Sequence, residues 1–325
     1  MNNKLNILYT CDNAYLPLTS ISMASVVANN PDSSITFYIA TEDEDDDNFR
    51  KLQDFYKENE KVKIVYHNAK KFDDLLLEKG FDRWGSNSFY VYWKLFAYDD
   101  LNVDRIWYLD SDVICLNKIT DPIIEKAAGA CLDSAHACFN KNAHIPENYF
   151  FFNTGSMYVD VNEWKKQNCT EKICDCIRNM KHMPLMCDQD ILALALQNDL
   201  EVLPPEYDYL AGYDYYGVHN SFMMYSLNQK PFYSEKEVEE ARKKVVFYHC
   251  LGGVFGRPWE EGNESPVREE FENYRTLSCW NDFHKQRNIS ALFKIEKKLD
   301  FLPSGIYNRI HNLAMRIYLG RLAKK

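Results

Sequence analysis

The chain has 325 residues, 46% hydrophobic and 26% charged, with only 12 glycines and 11 prolines, which excludes disordered and fibrous classes and leaves room for a sizeable core. Its formal charge is −10, but ten Lys/Arg against Glu296 and Asp300 give the stretch from Lys285 to Lys325 a local +8, leaving −18 for the remainder. Such a body would repel a phosphate backbone, which excludes nucleic acid as a partner. The ten cysteines include no C-x-x-C pair and no small-domain disulfide framework, so reduced thiols are expected. The start, MNNKLNILYT, lacks the pattern of a secretory signal, and no apolar run is long enough to span a bilayer; a cytoplasmic protein is expected.

In chain order, residues 4–10 predict a buried strand ending at Cys11-Asp12-Asn13, and Thr19 to Asn29 a helix stopped by Asn30-Pro31. Ser34 to Ala40 predicts a second strand. The acidic run Glu42 to Asp47 fits the solvated start of a helix carrying Phe49, Leu52 and Phe55. Val62 to His67 is a third strand, Phe72 to Glu78 a helix, Tyr90 to Leu101 another, and Arg105 to Leu109 a fourth strand. Residues 150–161 read as a loop and strand, and Asp188 to Gln197 as a helix. Strands alternating with helices predict an α/β fold, a mostly parallel sheet with helices on both faces. Ligands bind such sheets beyond the carboxyl ends of the strands, which singles out Asp12 and Asp110.

Asp110-Ser111-Asp112 follows the apolar Trp107-Tyr108-Leu109. If the backbone turns there, both carboxylates reach one ion, and oxygen ligands with one imidazole suit Mn²⁺ or Mg²⁺. A divalent cation would neutralise a departing diphosphate. The pattern is short, and Asp43-Glu44-Asp45 and Asp188-Gln189-Asp190 also match it; only the first interrupts an apolar strand.

Tyr108 to Val113 resembles the "YLDxDv" segment of glycosyltransferase family 8. Five more segments agree in order: Cys11 to Tyr15, Tyr92 to Leu95, Phe152 to Gly155, Asp188 to Leu192, and His249 to Gly252 with Gly256 to Trp259. The resemblance spans about residues 4–260 and implies a GT-A-type, Rossmann-like domain that uses a UDP-sugar donor and a metal ion. On that basis Asp110, Asp112 and His249 hold the metal, and Asp12 and Tyr15 hold the uridine. Lys94, Ser111, Gly252, Gly253 and Arg257 complete the donor site, with Arg257 on the diphosphate. Asn153, Asp188 and Gln189 line the reaction site. Lys94 replaces the family's usual Arg, Arg257 its usual Lys, and Ala14 its usual Asn; the glycine-rich loop before Arg257 is two residues longer than usual. The alternatives are a core aromatic for Tyr15, a surface lysine for Lys94, a helix-end carboxylate for Asp188 and a structural His249.

The family retains anomeric configuration. Gln189 is a poor nucleophile, so same-face attack by the acceptor is expected rather than a covalent intermediate. Galactose or glucose is the expected sugar and a glycan or glycolipid the acceptor, as for the family's lipopolysaccharide enzymes. The expected division is a catalytic domain over 1–265 and a basic helical extension over 266–325. There Ile306, Ile310, Leu313 and Ile317 have helical spacing among Arg309, Arg316 and Arg321, a pattern for an anionic membrane surface or for packing on the acidic body. Two rival functions are a sugar nucleotidyltransferase, which lacks its glycine-rich loop here, and a sugar-binding protein without activity.

Overall fold

The structure, a computed structural model, describes residues 3–42, 44–68, 70–81, 89–134, 144–252, 256–286, 298–299, 302–303, 305–311 and 313–314. The first half alternates β1 (Asn3–Thr10), α1 (Leu16–Asn29), β2 (Ser33–Ala40), α2 (Asp47–Tyr56), β3 (Val62–His67), α3 (Asp73–Glu78), α4 (Tyr90–Trp93) and β4 (Arg105–Leu109). There follow β5 (Val113–Cys115), β6 (Ala128–Leu132), β7 (Phe152–Asp160), α5 (Val161–Lys166), α6 (Cys169–Asn179) and α7 (Asp188–Ala195). The last described stretch adds β8 (Leu200–Val202), β9 (Tyr209–Leu210), α8 (Gly212–Tyr216), α9 (Val218–Tyr225), α10 (Glu235–Ala241), β10 (Phe247–His249) and α11 (Arg268–Thr276).

Seven strands form one sheet in the order β3-β2-β1-β4-β7-β6-β8. Only β7 opposes the rest, pairing antiparallel with β4 and β6. Its neighbours to either side are parallel, so the expected parallel-dominated α/β sheet is what forms. Successive residues of β1 and β4 feed opposite layers. Ile7 and Trp107 join one buried cluster, Leu8 and Tyr108 the other. Burial on both faces explains why these strands are continuous apolar runs.

The helix expected over 90–101 is a single turn, Tyr90–Trp93. From Tyr92 to Tyr98 every side chain is buried, which a helix with one solvated face cannot achieve. The segment instead continues through i→i+3 turns, such as Leu95 N–H to Tyr92 C=O. Helix α1 begins three residues before Thr19, because Pro17 suits a first helical turn. In the acidic run only Asp46 caps α2, accepting from the Asn48 and Phe49 amides; Glu42 instead accepts the Tyr90 hydroxyl.

A second sheet has the order β5-β10-β9, and its β5 follows β4 after the turn at Asp110 to Asp112. Its register sets His249 beside Val113 and Leu210, and the Cys250 amide donates to the Asp112 carbonyl at 2.9 Å. That pairing brings the two distant sequence segments of the site together. Helix α11 packs on α1, with Phe271 buried against Trp259 and the Tyr274 hydroxyl accepting from Asn29 at 2.8 Å. No described helix is long and apolar enough to cross a membrane, and the described cysteines form no disulfide.

Candidate active site

At the carboxyl ends of β1 and β4 lies a cleft of about 550 Å³. Asp12, Tyr15, Lys94, Asp110, Ser111, Asp112, Asn153, Asp188, Gln189, His249, Gly252 and Arg257 all line it. Gly253 lies outside the described residues. One set of residues chosen from six separated segments therefore shares one cavity.

The chain does turn after β4. The Val113 amide donates to the Asp110 carbonyl at 3.1 Å, and the Asp110 amide to the Gly155 carbonyl at 2.8 Å. Asp110, Asp112 and His249 each offer a ligand atom, and these atoms lie within 4.8 Å of one another. His249 Nε2 is 3.4 Å from Asp112 Oδ1, while its Nδ1 is 3.2 Å from Oδ1 of the buried Asp208. An outer carboxylate on one ring nitrogen, with the other aimed at a carboxylate pair, is the arrangement of a metal-binding histidine. Two carboxylates and one imidazole are the donor set that Mn²⁺ or Mg²⁺ accepts, so these residues fit a divalent cation.

The electrostatics agree. Burial opposes charge on Asp112, but His249, then Arg257 and Lys94, outweigh it and hold its carboxyl down at about 2. Burial likewise opposes a charged His249, yet Asp208 and Asp112 on its two sides raise it well above the usual histidine range. Without a cation the imidazolium itself balances the carboxylates; a cation held by Asp110, Asp112 and His249 would take over that role and displace the proton.

Lys94 is not a surface residue. It is 3% exposed, and its Nζ donates to Asp110 Oδ1 at 2.7 Å and lies 3.2 Å from Asp188 Oδ2. Asp110 Oδ1 also accepts the Tyr108 hydroxyl. Asp188, at the start of α7, is both a helix-end carboxylate and a cleft residue, and it accepts the Thr154 hydroxyl at 2.5 Å. Burial, opposed mainly by Lys94, raises its carboxyl above the ordinary range.

Tyr15 is no core aromatic, being 38% exposed at the mouth. Asp12 Oδ1 accepts the Tyr15 amide at 2.8 Å, fixing the loop between β1 and α1. The Ser111 hydroxyl is bonded to that of Thr19 at 2.8 Å. Gly252 lets the Arg257 side chain lie against the main chain, since a Cβ there would meet its Nε at 3.1 Å.

Asp133 is a cleft residue that the sequence reading passed over. Buried at the end of β6, its Oδ2 accepts from Asn153 Nδ2 at 2.9 Å and from Gln189 Nε2 at 3.1 Å. The same Gln189 nitrogen donates to the Phe152 carbonyl at 2.9 Å, so both amide hydrogens are used and Oε1 is left as the polar atom for the cleft. A carboxylate directly after an apolar strand, the signal that drew attention to Asp110, was present in Cys131-Leu132-Asp133 as well. Asp208 and the cleft residues Tyr216, Tyr225 and His311 carried no such signal.

The fold and the three-ligand cluster define a GT-A glycosyltransferase architecture. The sequence pattern described as Glycosyl transferase family 8 matches residues 6–262, and the chain belongs to that family. It is 25% identical to a lipopolysaccharide 1,2-glucosyltransferase of Escherichia coli, over 93% of this chain and 90% of the relative. Its identity to the enzyme of the same description from E. coli strain K12 is 27%, over 92% and 85%. The solved galactosyltransferase LgtC in complex with donor and acceptor sugar analogues shares the fold, with a TM-score of 0.62 at 15% identity over 89% of this chain and 99% of that one.

Proposed function

We propose that the chain is a retaining hexosyltransferase that moves glucose or galactose from a UDP-sugar to a hydroxyl of a glycan or glycolipid acceptor, in lipopolysaccharide or related cell-surface glycan assembly. The observation that carries the reading is the cluster of Asp110, Asp112 and His249 inside the cleft at the strand ends. A divalent cation bound there, Mn²⁺ or Mg²⁺, supplies positive charge to the leaving diphosphate.

The chain's own residues do the remainder. Tyr15 offers its ring to the uracil and Asp12 its carboxylate to the uridine; Arg257 meets the diphosphate. Lys94 holds Asp110 and Asp188 in place, with Asp188 towards the sugar hydroxyls and Ser111 against the donor. The acceptor hydroxyl attacks the anomeric carbon on the face from which UDP departs. The bond from that carbon to the phosphate oxygen breaks as the new glycosidic bond forms, and the departing oxygen takes the acceptor's proton. Gln189 Oε1, held by the bonds of its amide nitrogen, faces the positive charge that develops on the sugar ring. Asn153 braces the same network through Asp133.

In the same cleft Tyr216 and Tyr225 pack their rings against His311, an aromatic wall suited to a sugar face. His311 belongs to a helix over 305–311, and its Nε2 is 3.2 Å from the Tyr225 hydroxyl. Residues 1–265 are the catalytic unit and 266–325 the extension that this helix belongs to. On its other side Ile306, Ile310 and Leu313 are exposed next to Arg309, a face that suits the anionic inner surface of a membrane. The remaining tail positions, Arg316, Ile317 and Arg321, lie outside the described residues.

Thermal shift with UDP-glucose, UDP-galactose and the corresponding GDP-sugars, each with Mn²⁺ and with EDTA, tests the donor assignment. Stabilisation by a UDP-hexose that depends on Mn²⁺ is expected. Equal stabilisation by GDP-sugars, or none by either UDP-hexose, would reject it.

A further inference from the structure

Beyond the segment that the family pattern matches, the chain returns to Tyr15, one of the residues that line the cleft. Lys285 pairs with Glu260 in an isolated bridge: its amide donates to the Trp259 carbonyl at 2.9 Å, and its carbonyl accepts from the Glu261 amide at 3.0 Å. These bonds anchor Lys285 against the segment that presents Arg257. The Lys285 ammonium stands 4.4 Å from the centre of the Tyr15 ring.

Arg257 lies close enough for its charge to depress Lys285, the second cause after burial, with Asp12 and Glu260 opposing. Neither cation forms an ion pair with a described residue; the Arg257 guanidinium rests 5.3 Å from the Trp259 ring centre instead. Two neighbouring cations without a paired carboxylate, one over an exposed aromatic ring, disfavour each other until an anion is placed with them.

We propose that Lys285, together with Arg257, binds the diphosphate of the nucleotide donor, so that the chain beyond the family-matched region completes the donor site. Anchoring by main-chain bonds leaves the side chain as the mobile part. Its length lets the ammonium leave the Tyr15 ring for a phosphate oxygen while the stem stays near the ring. The inference rests on the proposed donor, and its test separates the two.

Isothermal titration of the full chain with UDP in Mn²⁺, and separately with uridine, is run on the wild type, Lys285→Met and Lys285→Arg. The methionine keeps an apolar stem beside Tyr15 and removes the charge. The expected result is about a tenfold loss of UDP affinity in Lys285→Met, unchanged uridine affinity, and recovery of most UDP affinity in Lys285→Arg. Equal losses for UDP and uridine would make Lys285 a brace for Tyr15 and overturn the proposal, as would no loss for either. Uridine and UDP both failing to bind the wild type would instead remove the donor assignment, and this inference with it.

Discussion

A methyl group on Gly155 would lie 2.3 Å from Cε1 and 2.4 Å from Nδ1 of His249, closer than any tolerated contact. Strand β7 therefore needs a bare backbone where it passes the imidazole, and the Gly155 carbonyl at the same place accepts the Asp110 amide. Gly155→Ala is expected to push His249 out of line with Asp112. Overpacking of this kind costs about 1–3 kcal/mol of stability. Titration of Mn²⁺ binding should show at least a tenfold weakening, and unaltered binding would mean that His249 is not a ligand.

Lys94 is a buried cation between two carboxylates. Removing one member of a buried pair costs about 3–5 kcal/mol, because the remaining charge is left unpaired. Lys94→Met should lose that much in urea unfolding of the metal-free protein. Added Mn²⁺ should restore part of it by neutralising Asp110. A loss below about 1 kcal/mol would contradict the buried arrangement.

On the proposed mechanism Asp133, which accepts from the Gln189 amide, is expected to act through Gln189 rather than on the sugar itself. In Asp133→Ala one of the bonds that orient the Gln189 amide is gone while the nucleotide end is untouched. Turnover should fall about tenfold to a hundredfold, the scale on which misplacement of a reacting group is felt. The affinity for UDP should stay as it was, and a parallel fall in both would show that Asp133 shapes the donor site instead.

Strands β3 and β4 match their expected spans because Ile64 to Tyr66 and Ile106 to Leu109 are β-favouring apolar runs that stop at His67 and Asp110, although β3 is half-exposed at the end of the described sheet. Strand β6 is AGACL, and a Cβ on Gly129, its second residue, would lie 2.5 Å from Leu203 Cδ2. Packing thus stripped that strand of the β-branched residues by which strands are recognised. With β6 unseen, the carboxylate at its end went unseen too. Asp110 and Asp112 were readable from a strand interrupted by charge, whereas Asp208 and His249 meet only through the pairing of β9 with β10.

The flanking of His249 by Asp208 and Asp112 sets a pH dependence. Its folded-state value is raised, so the protonated imidazole stabilises the metal-free fold fully below the unfolded value of about 6.5. That contribution declines as pH rises through the folded value. In EDTA, Tm should fall as pH rises from about 6.5 through the folded value, and Asp208→Asn should flatten the decline. Mn²⁺ should release a proton on binding, which calorimetry in buffers of different ionisation enthalpy detects. A metal-free protein whose Tm rises over the same window would contradict the flanking arrangement.

The most direct test of the central claim is UDP release from UDP-glucose and UDP-galactose by the wild type and by Asp112→Ala, in Mn²⁺ and in EDTA. Slow release even without a supplied acceptor, with water in its place, is expected from the wild type in Mn²⁺. A fall of at least a hundredfold is predicted on either metal removal or the substitution, with both proteins remaining folded. Release at an equal rate from Asp112→Ala, or none from either sugar nucleotide in Mn²⁺ with a broad set of glycan acceptors supplied, would contradict the account.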